Sequence, residues 1–124
     1  MTANSFTSVS LGPPVVLVCV HNDARMAFVL ERGMDFGVSV LASDQEAISR
    51  HFAGRPQGTG RIEFAWHRGV PLIAEAAAQF ICRLSDARIV GDHTLCLAEV
   101  EHFERFDRRP LIFYVGGYAS LVRA

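Results

Sequence analysis

The side chains that could do chemistry in this chain are few, and no spacing organises them. Histidines stand at positions 21, 51, 67, 93 and 102. No two have the His-x-x-x-His separation that sets a pair of imidazoles on one helix face. A metal site would have to be gathered from distant loops, so none is expected. There is no Gly-x-Gly-x-x-Gly after a strand, no phosphate loop with lysine and no Cys-x-x-Cys. Cys19, Cys82 and Cys96 each sit inside an apolar run, where thiols are usually small core residues in a reducing compartment. A Cys–His nucleophile pair would need an accessible thiol, and these read as buried and inert. Spacing alone therefore supports a small cytoplasmic β-barrel and no particular reaction.

The elements that must position these residues can be read from pattern. Val15 to Val20 is a continuous, largely β-branched run and predicts a strand buried on both faces. Ala24 to Arg32 has helical spacing and ends at Gly33, and Phe36 to Leu41 returns to strand composition. Ser43 followed by Glu46 is a capping-box pattern opening a second helix, with Ala47, Ile48 and Phe52 on its apolar side and Gly54 as its stop. Arg55 to Gly60 reads as a loop. Ile62, Phe64 and Trp66 alternate with Glu63, Ala65 and His67, the mark of a half-buried strand. Gln79 to Val90 and Thr94 to Phe106 are longer strand-like runs flanking Gly91-Asp92-His93, a hairpin turn. Leu111 to Val115 is a last strand, broken by Gly116-Gly117. The expected fold is mainly β, an antiparallel β-barrel with peripheral helices.

Composition bounds the function. At 124 residues and 50% hydrophobic content, the chain suits one domain, residues 1–124, with a real core. The net charge of -1 gives no basic excess for nucleic acid. All 12 cationic residues are arginine. No apolar stretch approaches the ~20 residues of a membrane helix, and Met1 to Asn4 lacks the basic and apolar regions of a signal peptide.

Thr2-Ala3-Asn4-Ser5-Phe6-Thr7-Ser8-Val9-Ser10-Leu11-Gly12-Pro13-Pro14 closely resembles the opening motif of the flavin reductase-like, FMN-binding split-barrel family. Val38-Ser39-Val40-Leu41 is similar to that family's Val-Asn-Val-Leu strand, and Gln45 through Ser49-Arg50-His51-Phe52-Ala53-Gly54 to its helix. Gly91-Asp92-His93-Thr94 matches its turn. Pro110-Leu111, Tyr114, Gly117 and Tyr118 resemble its closing segment. The matches run in family order along nearly the whole chain, and most resemble the reductase partners of two-component flavin monooxygenases. Two departures stand out. Family members normally carry a strand and the start of another before this motif, so the barrel is expected to lack the family's first strand. The cause would be a late-assigned start or natural shortening, leaving edges that a second subunit could cover. The family's asparagine is replaced by Ser39, a shorter polar arm.

The resemblance implies a flavin site of Asn4, Ser5, Phe6, Thr7, Ser8, Ser39, Leu41, Ser49, Arg50 and Phe52, with His93 and Tyr118 at the nicotinamide. Each has a plainer reading beside it. Short polar residues such as Asn4, Ser5, Thr7 and Ser8 often bond local backbone. Arg50 could offer its planar fork to a phosphate or simply lie on a solvated face. His93 could be only a turn residue, and Tyr118 only an aromatic cap on the core. The implied reaction is hydride transfer from NADH or NADPH to FMN or FAD. The partners implied are a monooxygenase that receives reduced flavin and a second copy in a homodimer; neither nucleic acid nor membrane is among them. The alternatives are a repurposed barrel that binds another small molecule, a flavin-independent biosynthetic enzyme, or a structural subunit paired with a longer homologue.

Overall fold

Two strands of 13 residues, β6 (Ala78–Val90) and β7 (His93–Arg105), form the spine of the molecule. The computed structural model describes residues 1–55 and 60–122. Gly91 and Asp92 join the two strands. Gly91 has φ +61, the positive value a II′ turn needs at its first central position. β2 (Pro14–His21) pairs with β7, and β1 (Thr7–Leu11) pairs with β2. On the far side β3 (Asp35–Val40) pairs with β6, giving an antiparallel sheet of order β1-β2-β7-β6-β3.

Register shifts at Ile81/Cys82 and Leu84/Asp86 put bulges into the β6–β7 ladder, and bulges bend and twist strands. The sheet curls until Phe6, just ahead of β1, meets Phe80 on β6 with ring centroids 5.1 Å apart. The fold is mainly β as expected. The curl stops short of closure, however, because edge strands β1 and β3 do not pair among the described residues.

The curl encloses two clusters. Val16, Cys82 and Ala98 pack with Phe36, Val38, Phe80 and Val100, and Val20, Leu84 and Cys96 pack with Met26, Ala27 and Leu30. β2 therefore buries Val16 and Val20 on one face, with Val18 between them half-buried. Val15, Leu17 and Cys19 on the other face are half-buried, which corrects the expectation of burial on both.

Both helices differ from their sequence patterns. α1 is a short Arg25–Val29 segment without a side-chain cap. It stops early because the chain is drawn back to the sheet, where Gly33 N–H donates to the Leu84 carbonyl and Leu84 N–H to the Met34 carbonyl. α2 spans Glu46–Phe52 with Gln45 at its cap position, and no capping box forms. Ser43 N–H instead donates to the Arg109 carbonyl, and the Glu46 carboxylate turns to Arg50. Gly54, at φ +83, ends the helix as predicted. No helix among the described residues is long and apolar enough to cross a membrane.

β4 (Phe64–His67) pairs with β5 (Val70–Ile73), a strand the pattern missed. Val70 and Leu72 of β5 cover Ile81, so Phe64 and Trp66 of β4 stay exposed rather than half-buried. The last segment is a hairpin, not a broken strand: β8 (Ile112–Tyr114) pairs with β9 (Gly117–Ala119). The predicted loop at 55–60 lies largely outside the described residues.

β5 approaches β3 so closely that a Cβ on Gly37 would lie 2.7 Å from Leu72 Cδ2 and 2.8 Å from the Pro71 carbonyl oxygen. Backbone cannot yield as a side-chain tip can. Gly37→Ala should therefore lower stability by about 1–3 kcal/mol, measured as a drop in the urea midpoint. An unchanged midpoint would mean that β5 is free to move away.

Candidate functional site

The residues singled out from sequence fall into three groups. The first surrounds α2. Gln45, 8% exposed, docks the helix: Ala42 N–H donates to its Oε1 at 2.9 Å, and its Nε2 donates to the Ala74 carbonyl at 2.9 Å. One amide thereby satisfies the exits of both β3 and β5, as buried backbone groups require. Leu41, also at the β3 exit, accepts from Leu111 N–H at 2.8 Å, tying in the C-terminal hairpin.

Around this dock, Ser49 is a meeting point. Its carbonyl accepts from Thr2 Oγ1 at 2.6 Å, and its hydroxyl lies 2.8 Å from the Tyr118 hydroxyl. Arg50 sits over the Tyr118 ring, 4.8 Å from the centroid, and donates to Glu46. Thr2 N–H caps the Phe52 carbonyl at 3.2 Å. A hydroxyl cluster beside a guanidinium has the donor chemistry of a phosphate site.

The second group is the N-terminal run. Ser5 Oγ donates to the Cys19 carbonyl and accepts from Cys19 N–H, at 3.1 and 3.0 Å. Phe6 belongs to the core. Asn4, Thr7 and Ser8 are exposed. Ser8 also lines a cleft of about 480 Å³ with Ser10, Leu11, Val15, Phe80 and Phe103. Its volume falls in the range of small-molecule sites, ≈ 300–1,000 Å³. Ser39 stands apart from this run: its Oγ accepts from Ile73 N–H at 2.9 Å, holding β5 against β3. The side chains of Ser5 and Ser39 thus have structural partners.

The third group sits at the β6–β7 turn. His93 Nδ1 is 2.8 Å from Asp92 Oδ1. That hydrogen bond, followed by the charge of His93, lowers the Asp92 pKa below its ordinary value. Register places His21 directly opposite His93. The two rings meet edge-on at 5.1 Å, and His21 Nδ1 accepts from Asp23 N–H. His21 escaped the sequence reading because cross-strand pairing leaves no local signal. The structure does not bring His93 and Tyr118 together, for Tyr118 contacts Ser49 and Arg50 whereas His93 contacts Asp92 and His21.

Residues 1–122 match the flavin reductase like domain. The chain belongs to that family. It is 45% identical over 121 residues to an NADH-dependent flavin reductase of a Rhodococcus species, covering 98% of this chain and 69% of that protein. It is 39% identical to the reductase component of 4-hydroxyphenylacetate 3-monooxygenase from Thermus thermophilus, covering 98% and 78%. Among solved structures, the NADH:FAD oxidoreductase SgcE6 of Streptomyces globisporus, in complex with NAD and FAD fragments, superimposes with a TM-score of 0.87 at 37% identity. The match covers 97% of this chain and 75% of that one.

Two of the three cysteines of this flavin reductase domain are buried as expected, Cys82 and Cys96, whereas Cys19 is only half-buried. Cys82 is fully buried, and burial, then the nearby Glu101 charge, pushes its thiol up to about 11 from 9.0. Cys96 is raised by burial as well. Both should resist thiol reagents in the folded protein at neutral pH and react once denatured. Because the folded pKa of Cys82 exceeds the unfolded one, its share of stability is intact below pH 9 and declines toward pH 11. Urea midpoints across that interval should fall less in Cys82→Ala than in the parent. Equal slopes would show that the thiol does not contribute.

Proposed function

We propose that the protein is an NADH- or NADPH-dependent flavin reductase that passes reduced FMN or FAD to a partner monooxygenase. The observation that carries this reading is its 45% identity, over 98% of the chain, to an NADH-dependent flavin reductase. Relatives that serve as monooxygenase reductase components support the partner.

The residues fit the cofactor. Arg50, beside the hydroxyl pair of Ser49 and Tyr118, would hold its phosphate. Asn4, Thr7 and Ser8 would offer donors along an extended segment next to the apolar cleft. Ser39 does not count against flavin, since its hydroxyl serves the β3–β5 contact. When bound, the flavin accepts the hydride that the dihydronicotinamide gives up.

The chain's own task is placement and release. His93, its Nδ1 engaged by Asp92, presents the other face of its ring near the turn, where it would orient the nucleotide. Tyr118 takes a role different from the one its family position implies. It lies on Ser49 and Arg50, so we assign it to the phosphate end and not to the nicotinamide. The buried, unpaired thiols of Cys82 and Cys96 support a cytoplasmic location.

A second copy completes the reading. Val9 and Leu11 on edge strand β1 are 54% and 94% exposed, and Phe103 across the cleft is 52% exposed. Unpaired edges and exposed apolar side chains of this kind are usually covered by a partner. Sedimentation at micromolar concentration should show a dimer, and Leu11→Arg should shift it toward monomer. A stable monomer in the parent protein would refute this interface.

Oxidation of NADH or NADPH should depend on added FMN or FAD. A folded sample with no turnover for any pairing would refute the assignment. His93→Ala should raise the nucleotide KM by up to about tenfold, the weight of one hydrogen bond, while the flavin Kd holds. A change in flavin Kd alone would move His93 to the other ligand.

A further inference from the structure

The face of α2 that we assign to the flavin phosphate already carries an anion. Glu46 Oε1 accepts from Arg50 Nε at 3.1 Å and from Arg50 Nη2 at 2.8 Å. One carboxylate oxygen therefore takes a whole edge of the guanidinium, and such an edge is what a phosphate engages with paired N–H donors. The flat face of the same group lies over Tyr118, whose hydroxyl is bonded to Ser49. Arg50 is held on a face and an edge while its side chain remains 31% exposed, within reach of a ligand.

We infer that Glu46 is a built-in competitor for the phosphate of the flavin, a residue that weakens the binding of phosphorylated flavins selectively. The inference rests on the reading of Arg50 as the phosphate-binding group. A phosphate arriving at Arg50 must displace the carboxylate or share the fork with it, and in the second case the two anions repel each other. Either way, free energy gained at the phosphate is offset by what is lost at Glu46. A flavin bound in this way is placed well enough to react and held loosely enough to leave.

The plainer role for an exposed i, i+4 pair is helix support, which is worth little. The two roles predict opposite signs for flavin binding. Losing helix support leaves flavin affinity unchanged or lower, whereas losing a competitor raises it.

Titration of FMN, FAD and riboflavin by fluorescence quenching separates them, using the full chain and the variants Glu46→Gln and Arg50→Ala. Glutamine keeps the length and hydrogen-bonding shape but removes the charge. Glu46→Gln should bind FMN and FAD about three- to tenfold more tightly, the loss of one weak ion pair plus one repulsion. Riboflavin, which has no phosphate, should bind unchanged. Thermal melts that match the parent's would show that the fold is intact.

Glu46→Gln binding FMN no more tightly, or tightening riboflavin equally, would overturn the inference. Arg50→Ala separates this failure from failure of the underlying reading. If it weakens FMN while Glu46→Gln leaves FMN unchanged, Arg50 holds the phosphate and only the competitor falls. If Arg50→Ala leaves FMN affinity intact, the phosphate assignment fails and takes the competitor with it.

Discussion

The antiparallel pairing of β6 with β7 runs from Ala78 opposite Arg105 to Val90 opposite His93, and the rest of the molecule is placed by it. An unbroken ladder of that length would only twist. The bulges at Ile81/Cys82 and Leu84/Asp86 curl it, and the curl creates the two apolar clusters on its inner side. It also brings Phe6 onto Phe80. The tip of the same hairpin presents His93, and the bonding of β2 alongside sets His21 opposite.

The outer side of the sheet solves a different problem. β5 packs against β3 and β6 with almost no space, which is why Gly37 stands beneath Leu72 and Pro71. Approach this close leaves backbone groups at the strand exits in need of partners. Gln45, Gln79 and Ser39 supply them: Gln45 bonds Ala42 and Ala74, Gln79 bonds the Ile73 carbonyl, and Ser39 takes the Ile73 N–H. Each of these polar side chains has a backbone partner in the fold. Gln45 fixes α2 in position, and α2 in turn carries Ser49, buried against the Tyr118 hydroxyl, and the partly exposed Arg50.

A division of labour follows along the N-terminal run. Thr2 bonds α2, Ser5 bonds β2 and Phe6 enters the core, while Asn4, Thr7 and Ser8 keep their side chains outward. Alternation between anchoring and exposed residues lets an extended segment be rigid and still present donors. The loose anion binding proposed for α2 would suit a reaction whose product must leave, because tight binding of a transferable flavin would slow the step that makes it useful.

Much of this was legible in the sequence. Apolar runs at Val15 to Val20 and across the two long strands mark the sheet, and Gly91-Asp92 marks its main turn. Ordered motifs from Thr2 to Tyr118 identify the family, because they record which residue types the site needs and in what order. Residue order does not record which neighbour claims a hydrogen-bonding group. Ser43 with Glu46 reads as a capping box, yet the Arg109 carbonyl and the Arg50 guanidinium take those partners instead. Trp66 alternates like a core residue and lies exposed because β5 supplies the covering side chains. Tyr118, His21 and Ser39 acquire their neighbours from strand register and from the curl. Local pattern determined the long strands, the hairpin turn and the family, since those depend on periodicity and residue type, but not the short strand β5 or the extent of the helices. Tertiary structure alone decided the pairing of side chains, since contacts between residues far apart in the chain exist only after the sheet has bent.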